Sequence, residues 1–180
     1  MSDDDDKIRL SALEFDEDKA RELEEKFDSE IRFRSLMPAA GWLVGFLLVA
    51  LSLFHYYTAG FGLLQEMLHR GIHLSMVLAL VFLVFPLVKT DYDQPTQSSL
   101  LRPLGIPVFD WLLALAAVVA VMHVPMIPLD DLAFRVGNPT TTDVVLGLTL
   151  ILLLLEATRR SVGIPLPIIA VVFMAYALFG

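Results

Sequence analysis

Long apolar runs separated by short polar segments make up the chain after residue 35. The clearest run extends from Thr141 to Arg160 and carries no charge between Val144 and Leu155. As a helix of about 20 residues it would be roughly 30 Å long, which matches the hydrocarbon core of a bilayer. Gly163 and Pro165 follow it and are typical of a helix end. The pattern predicts a membrane span that stops at an interface and then reverses.

The same reasoning predicts five apolar spans and therefore an all-α membrane protein. Polar segments rich in Pro, Gly, Ser and Asp separate the spans, as expected of loops. The expected spans cover residues 36–58, 71–88, 108–124, 141–160 and 164–180.

The first 35 residues are different, because 13 of them are acidic and 7 are basic. Residues 16–34 predict a helix with acids in its first turn and one narrow apolar stripe. Such an amphipathic helix would lie on the membrane face or against a partner; alternatively, it is a solvated helix that leads into the first span. The stripe consists of Ala20, Leu23, Phe27 and Ile31.

Composition, charge and the lack of known motifs argue against several classes of function. The net charge of −8 is concentrated in the acidic N-terminal segment, which argues against a nucleic-acid partner. The chain has no Cys, so disulfides and thiolate metal sites are excluded. No phosphate-binding loop, nucleophile elbow or metalloprotease motif is present, and we expect no enzymatic activity.

The distribution of Lys and Arg predicts a cytoplasmic N-terminus, because these residues are enriched in cytoplasmic segments. With that orientation only Arg70 and Arg135 fall outside. The inside segments hold Arg21, Lys26, Arg32, Arg34, Lys89, Arg102, Arg159 and Arg160.

Charged residues lie near the ends of the predicted spans. Glu156 is three and four residues before Arg159 and Arg160, so one carboxylate can pair with either base on one helix face. We expect these three residues to form a structural charge cluster. Asp110 and Asp143 lie at helix starts, where we expect them to act as end charges and caps.

The four histidines offer an alternative kind of site. His73 and His123 fall at similar depth on two spans, as the two axial ligands of a haem iron do in some membrane proteins. His69 and His73 also have the i,i+4 spacing of metal ligands. The alternative function is thus a haem-carrying membrane anchor of a redox enzyme. A third hypothesis is a membrane adaptor that acts through the acidic N-terminal helix.

Several segments together resemble the permeases of tripartite ATP-independent periplasmic (TRAP) transporters, specifically the TAXI branch. The resemblance covers residues 40–180 and is most specific around the fourth span. The segments that carry it are Ser52 to Gly62, Arg70-Gly-Ile-His-Leu74, Leu80-Val-Phe-Leu83 with Pro86, Asp110-Trp-Leu-Leu113, Arg135-Val-Gly137 with Pro139-Thr140 and Asp143-Val-Val145, Leu155-Glu-Ala-Thr-Arg-Arg160, Gly163, Leu166-Pro-Ile-Ile169, and Phe173 to Gly180.

The resemblance implies that residues 36–160 form the four-helix small membrane domain of such a transporter. Residues 161–180 would be a fifth span or a connector to a large transport domain. In this family the small domain is a stationary scaffold, and the large permease subunit carries the substrate and the sodium (or proton) coupling. A periplasmic TAXI-type binding protein delivers the substrate, an organic acid or similar anion. The expected location is the prokaryotic inner membrane, in contact with lipids, and no cofactor is expected in this chain.

With this topology, the outer loops 59–70 and 125–142 would help to dock the binding protein. The candidate contacts are Arg70, Asp130, Asp131 and Arg135.

Overall fold

The computed structural model describes Lys19 and residues 33–62, 65–87 and 100–180. In this part of the chain all regular structure is helical, and two single 3₁₀ turns, at Pro103–Gly105 and Val124–Met126, adjoin the third helix. The α-helices are α1 (Pro38–Phe61), α2 (Glu66–Val84), α3 (Val108–His123), α4 (Leu129–Arg135), α5 (Thr141–Ser161) and α6 (Pro165–Phe179).

The chain is an all-α membrane protein. Helices α1, α2 and α5, and α3 with its following 3₁₀ turn, are long and apolar enough to cross a membrane. The predicted spans are therefore confirmed for these four. Helix α6 is equally apolar but has only 15 residues, which is roughly 22 Å of helix and shorter than a hydrocarbon core.

Helices α2, α3 and α5 share one apolar core. Leu78 and Phe82 of α2 face a row of small side chains on α3, of which Ala117 is fully buried. Small residues let membrane helices approach closely, which increases dispersion contacts between them. Helix α5 adds Leu153 and Ala157 to the same core.

A second core joins the start of α1 to the end of α2. Ala40 and Val44 pack with Leu80 and Leu83, and Ile106 closes the cluster from the turn that precedes α3. Since the start of one helix meets the end of the next, α1 and α2 run antiparallel.

The bundle therefore has two ends with different polar residues. We call one the arginine end; it contains Arg34, the last turn of α2, the first turn of α3 and the last turns of α5. The other is the histidine end, formed by the last turns of α1 and α3, the first turns of α2 and α5, and α4.

The structure corrects one predicted helix start and two predicted loops. Helix α2 begins at Glu66, not at residue 71, because Glu66 favours a helix N-terminus and pairs with Arg70 one turn later. The predicted loop 59–70 is therefore shorter in the structure, because its last five residues belong to α2. The predicted loop 125–142 contains α4, whose first turn holds Asp130 and Asp131.

The helix predicted over residues 16–34 lies almost wholly outside the described residues. At its predicted end, Phe33 and Arg34 are not helical. Instead the Arg34 amide donates to the carbonyl oxygen of Val84 at 2.9 Å, so the lead-in to α1 is fixed to the end of α2. This long-range contact explains why residues 33 and 34 are not helical, although local periodicity predicts a helix that includes them.

Gly71 of α2 packs tightly against the end of α3 and the 3₁₀ turn that follows it. A Cβ atom at this position would lie 2.6 Å from Cγ of Pro125 and 3.4 Å from Sδ of Met122. The proline ring is rigid, so the helices would have to separate. By contrast, a Cβ added at Gly147 in α5 would meet nothing within 4 Å.

We predict that Gly71→Ala destabilises the bundle by about 1–3 kcal/mol through overpacking. The measurement is the fraction of monodisperse protein that remains after heating in detergent. Gly147→Ala is the matched control and should unfold at the wild-type temperature or slightly above it, since Ala favours helix. Equal stability of the two variants would contradict the close packing of α2 on α3.

Candidate functional site

The arginine end holds a buried charge network with Asp110 at its centre. One carboxylate oxygen of Asp110 accepts from Arg34 Nη2, and the other accepts from Arg160 Nη1 at 2.8 Å. The three residues are at most 7% exposed. Ionised groups are stable in such surroundings only when they are paired and hydrogen-bonded, as they are here.

Arg160 extends the network to α5 and α2. Its Nε donates to Glu156 at 2.8 Å, and its Nη1 also donates to the carbonyl oxygen of Phe85 at 3.2 Å. The guanidinium carbon lies 5.2 Å from the centre of the Phe82 ring, within cation–π distance. One side chain thus contacts the end of α2, the start of α3 and its own helix.

Glu156 joins Arg159 to the same network. The Arg159 Nε and Nη2 atoms donate to the two carboxylate oxygens of Glu156 at 2.7 and 2.8 Å, a bidentate pair. The i,i+3 and i,i+4 pairings that the sequence predicts are both present.

The network also stabilises the helix ends. The last carbonyl groups of α2 have no partner within the helix, and Arg34 and Arg160 donate to carbonyl oxygens of this region. Asp110 lies in the first turn of α3, where a negative charge is favourable, and the arginines of α5 lie in its last turn, where positive charge is favourable. Pair interactions and helix dipoles therefore favour the same arrangement.

The histidine end holds a smaller polar cluster around Asp143. The Thr140 hydroxyl accepts from the Asp143 amide while the Asp143 carboxylate accepts from the Thr140 amide, which is a capping box. The predicted cap is thus confirmed. The same carboxylate lies 2.7 Å from Nε2 of His123 and 3.1 Å from Nη1 of Arg135.

Three histidines lie together where α1 meets α2. Nε2 of His55 is 2.8 Å from Nδ1 of His73, and the His69 ring lies over Phe54 with its centre 5.0 Å away. No group of three or more His, Asp or Glu side chains within the described ranges has the arrangement of a metal site.

The two histidines of the haem alternative have separate partners. His73 is bonded to His55, whereas His123 is bonded through Nε2 to Asp143. Each contact uses one ring nitrogen and leaves the other, Nε2 of His73 and Nδ1 of His123, unused by these bonds.

The candidate docking residues all lie at the histidine end. Arg70 is exposed and pairs with Glu66, and Asp130 and Asp131 are exposed in α4. Arg135 is less available for contact with a binding protein than the sequence suggests, because its side chain is hydrogen-bonded to Asp143.

Sequence reasoning missed Arg34 and the full role of Asp110. The expectation that Asp110 is an end charge is correct for its position in the first turn, but wrong for its side chain, which caps no backbone amide and instead bridges two arginines. One signal was available for Asp110: no base lies three or four residues away from it, so its charge required a distant partner. Arg34 offered no such signal, because Glu30 lies four residues before it in the predicted helix 16–34.

Ionisable side chains of the four spanning helices lie within about two turns of a helix end, and the middle of the bundle is apolar. A path for ions or protons through this chain would need polar groups there. The arrangement can fix helices together and present two polar ends.

No family model, curated protein or solved structure matches this chain.

We predict that Asp110→Asn destabilises the protein strongly, by about 3–5 kcal/mol, because it leaves two buried guanidiniums without their shared acid. Loss of monodisperse protein on heating in detergent measures the effect. Glu66→Gln removes the acid of an exposed pair and should cost at most about 1 kcal/mol. If the two variants behaved alike, the network would not hold the arginine end together.

Proposed function

We propose that this chain is the small scaffold subunit or domain of a TRAP-type secondary importer of the TAXI branch. The observation that carries the proposal is the buried network at the arginine end, which ties together the lead-in to α1 and helices α2, α3 and α5. Such a bundle is suited to remain stationary while another component moves.

Relative movement of these helices would break buried ion pairs. Removing one partner of such a pair costs about 3–5 kcal/mol, because the other charge is left buried and uncompensated. A transport element instead needs a polar binding site near the middle of the membrane, often at broken helices. The four spanning helices here are apolar at that depth, which supports a scaffold rather than a carrier.

The family-specific part of the proposal depends on the sequence resemblance. It assigns substrate binding and sodium (or proton) coupling to a large permease subunit and substrate delivery to a periplasmic TAXI-type binding protein. The cargo would be an organic acid or similar anion, and the location would be a prokaryotic inner membrane.

The positive-inside rule supports one orientation of the bundle. Because Arg34, Arg159 and Arg160 lie at the arginine end, this end and the N-terminus would face the cytoplasm. The histidine end, with α4, then faces outward toward the binding protein.

The outer surface of the bundle leaves room for a large partner. Helix α6 packs against α5, but none of its residues is buried. Its exposed apolar residues include Phe173, Tyr176 and Phe179. Lipid or a large permease subunit would cover such a face.

The direct experiment is an affinity purification of the full chain from its native host in mild detergent. We predict that a large multi-span permease and a periplasmic binding protein co-purify with wild-type protein and with Glu66→Gln, whereas Asp110→Asn recovers much less of the permease. Recovery of haem, seen as a Soret band, together with a redox subunit would overturn the proposal in favour of the haem-anchor alternative.

A second experiment tests the outward-facing end. We predict that charge reversal of Asp130 and Asp131 to Lys reduces binding-protein recovery roughly tenfold without reducing permease recovery, because rim charges contribute to docking and each factor of ten is about 1.4 kcal/mol. Asp91→Lys with Asp93→Lys, in the predicted cytoplasmic loop, is the matched control. Unchanged recovery in the α4 variant would remove α4 from the docking surface.

A further inference from the structure

An apolar groove runs between α1 and α2 and begins at the arginine end. Its volume is about 490 Å³, within the usual range for small-ligand sites. Val44, Leu48 and Leu51 line it from α1, and Val77, Leu80, Val81 and Val84 line it from α2. Over Val44 to Leu51 the groove follows roughly 10 Å of helix into the apolar part of the bundle.

The mouth of the groove is aromatic and positively charged. Phe33 and Phe85 lie there with ring centres 5.1 Å apart, and Arg34 lines the groove beside them. The Arg34 side chain is only 4% exposed, yet its Nε atom has no hydrogen-bond partner. An unpaired N–H on a buried guanidinium is costly unless an acceptor reaches it.

A second buried donor lies in the same network. Nη2 of Arg160 is buried and has no hydrogen-bond partner, although Nε and Nη1 of the same side chain are bonded to Glu156 and Asp110. Because both orphan donors belong to positively charged guanidiniums, an anionic acceptor would suit this end of the bundle best.

We propose that the groove binds one anionic phospholipid, with an acyl chain between α1 and α2 and the phosphate at Arg34. The surrounding bilayer supplies this molecule, its tail matches the apolar walls, and its negative headgroup supplies an acceptor for the Arg34 guanidinium. Guanidinium groups bind phosphate with strong, directional hydrogen bonds. The site is independent of the transporter proposal, because it is formed by this chain alone.

The test uses the full chain, purified in detergent and stripped of lipid, then titrated with phosphatidylglycerol or phosphatidylcholine of identical acyl chains. Native mass spectrometry counts bound lipid. We expect roughly tenfold tighter binding of phosphatidylglycerol, the size expected for one charge-assisted hydrogen bond. Leu48→Trp, which fills the groove from its half-exposed wall, should abolish this preference. Leu115→Trp, at an exposed site on α3 outside the groove, should keep it.

Several results would overturn the proposal. Equal binding of the two lipids would show that the headgroup is not recognised. A preference that survives Leu48→Trp would place the lipid elsewhere. Displacement by an equal concentration of oleate would identify a fatty acid as the occupant, and failure of wild-type protein to bind any lipid would show that the groove is filled by protein. None of these results depends on whether a permease co-purifies, so this proposal and the proposed function can fail separately.

Discussion

The structure depends above all on Asp110, whose carboxylate is shared between Arg34 and Arg160. Each oxygen faces a guanidinium from a different part of the chain, 76 residues before it in one case and 50 residues after it in the other. Buried ion pairs add little net stability compared with well-packed apolar residues, but they fix geometry, because a shifted helix would leave charge unpaired in an apolar environment. Asp110 therefore sets the axial position of α5 against α3 and fixes the lead-in to α1.

The two ends of the bundle are stabilised by different kinds of interaction. At the arginine end, guanidiniums bond to carbonyl groups near the end of α2. At the histidine end, Asp143 caps its own helix and draws in His123 and Arg135 from neighbouring segments. The first end is dominated by long-range ion pairs, whereas the second combines a local cap with imidazole contacts that are more exposed. Structural rigidity is thus concentrated at one end.

How much of this can be predicted from sequence depends on the range of each interaction. The four long spans follow from hydropathy alone, because a bilayer requires a minimum length of apolar helix. The Glu156 pairs and the Asp143 cap follow from spacing, since their partners lie within four residues. Arg34 and Asp110 could not be matched in this way, because 76 residues separate them and spacing would instead pair Arg34 with Glu30. The same limit explains why α4 and the first turns of α2 are predicted as loops. Hydropathy assigns these segments to loops, but they are helical in the structure.

Two buried guanidinium donors without an acceptor constrain function as well as folding. Nε of Arg34 and Nη2 of Arg160 lie at one end of a membrane bundle, where an unpaired donor in low dielectric is unfavourable. Natural proteins resolve this by recruiting a counter-ion, by ligand binding or by association with a partner. Arg34 lines a groove with apolar walls, so an ion alone would leave those walls unfilled, whereas an amphiphile with a negative headgroup satisfies both requirements. The same residue that fixes the lead-in to α1 therefore makes the packing of α1 on α2 dependent on the surrounding lipid.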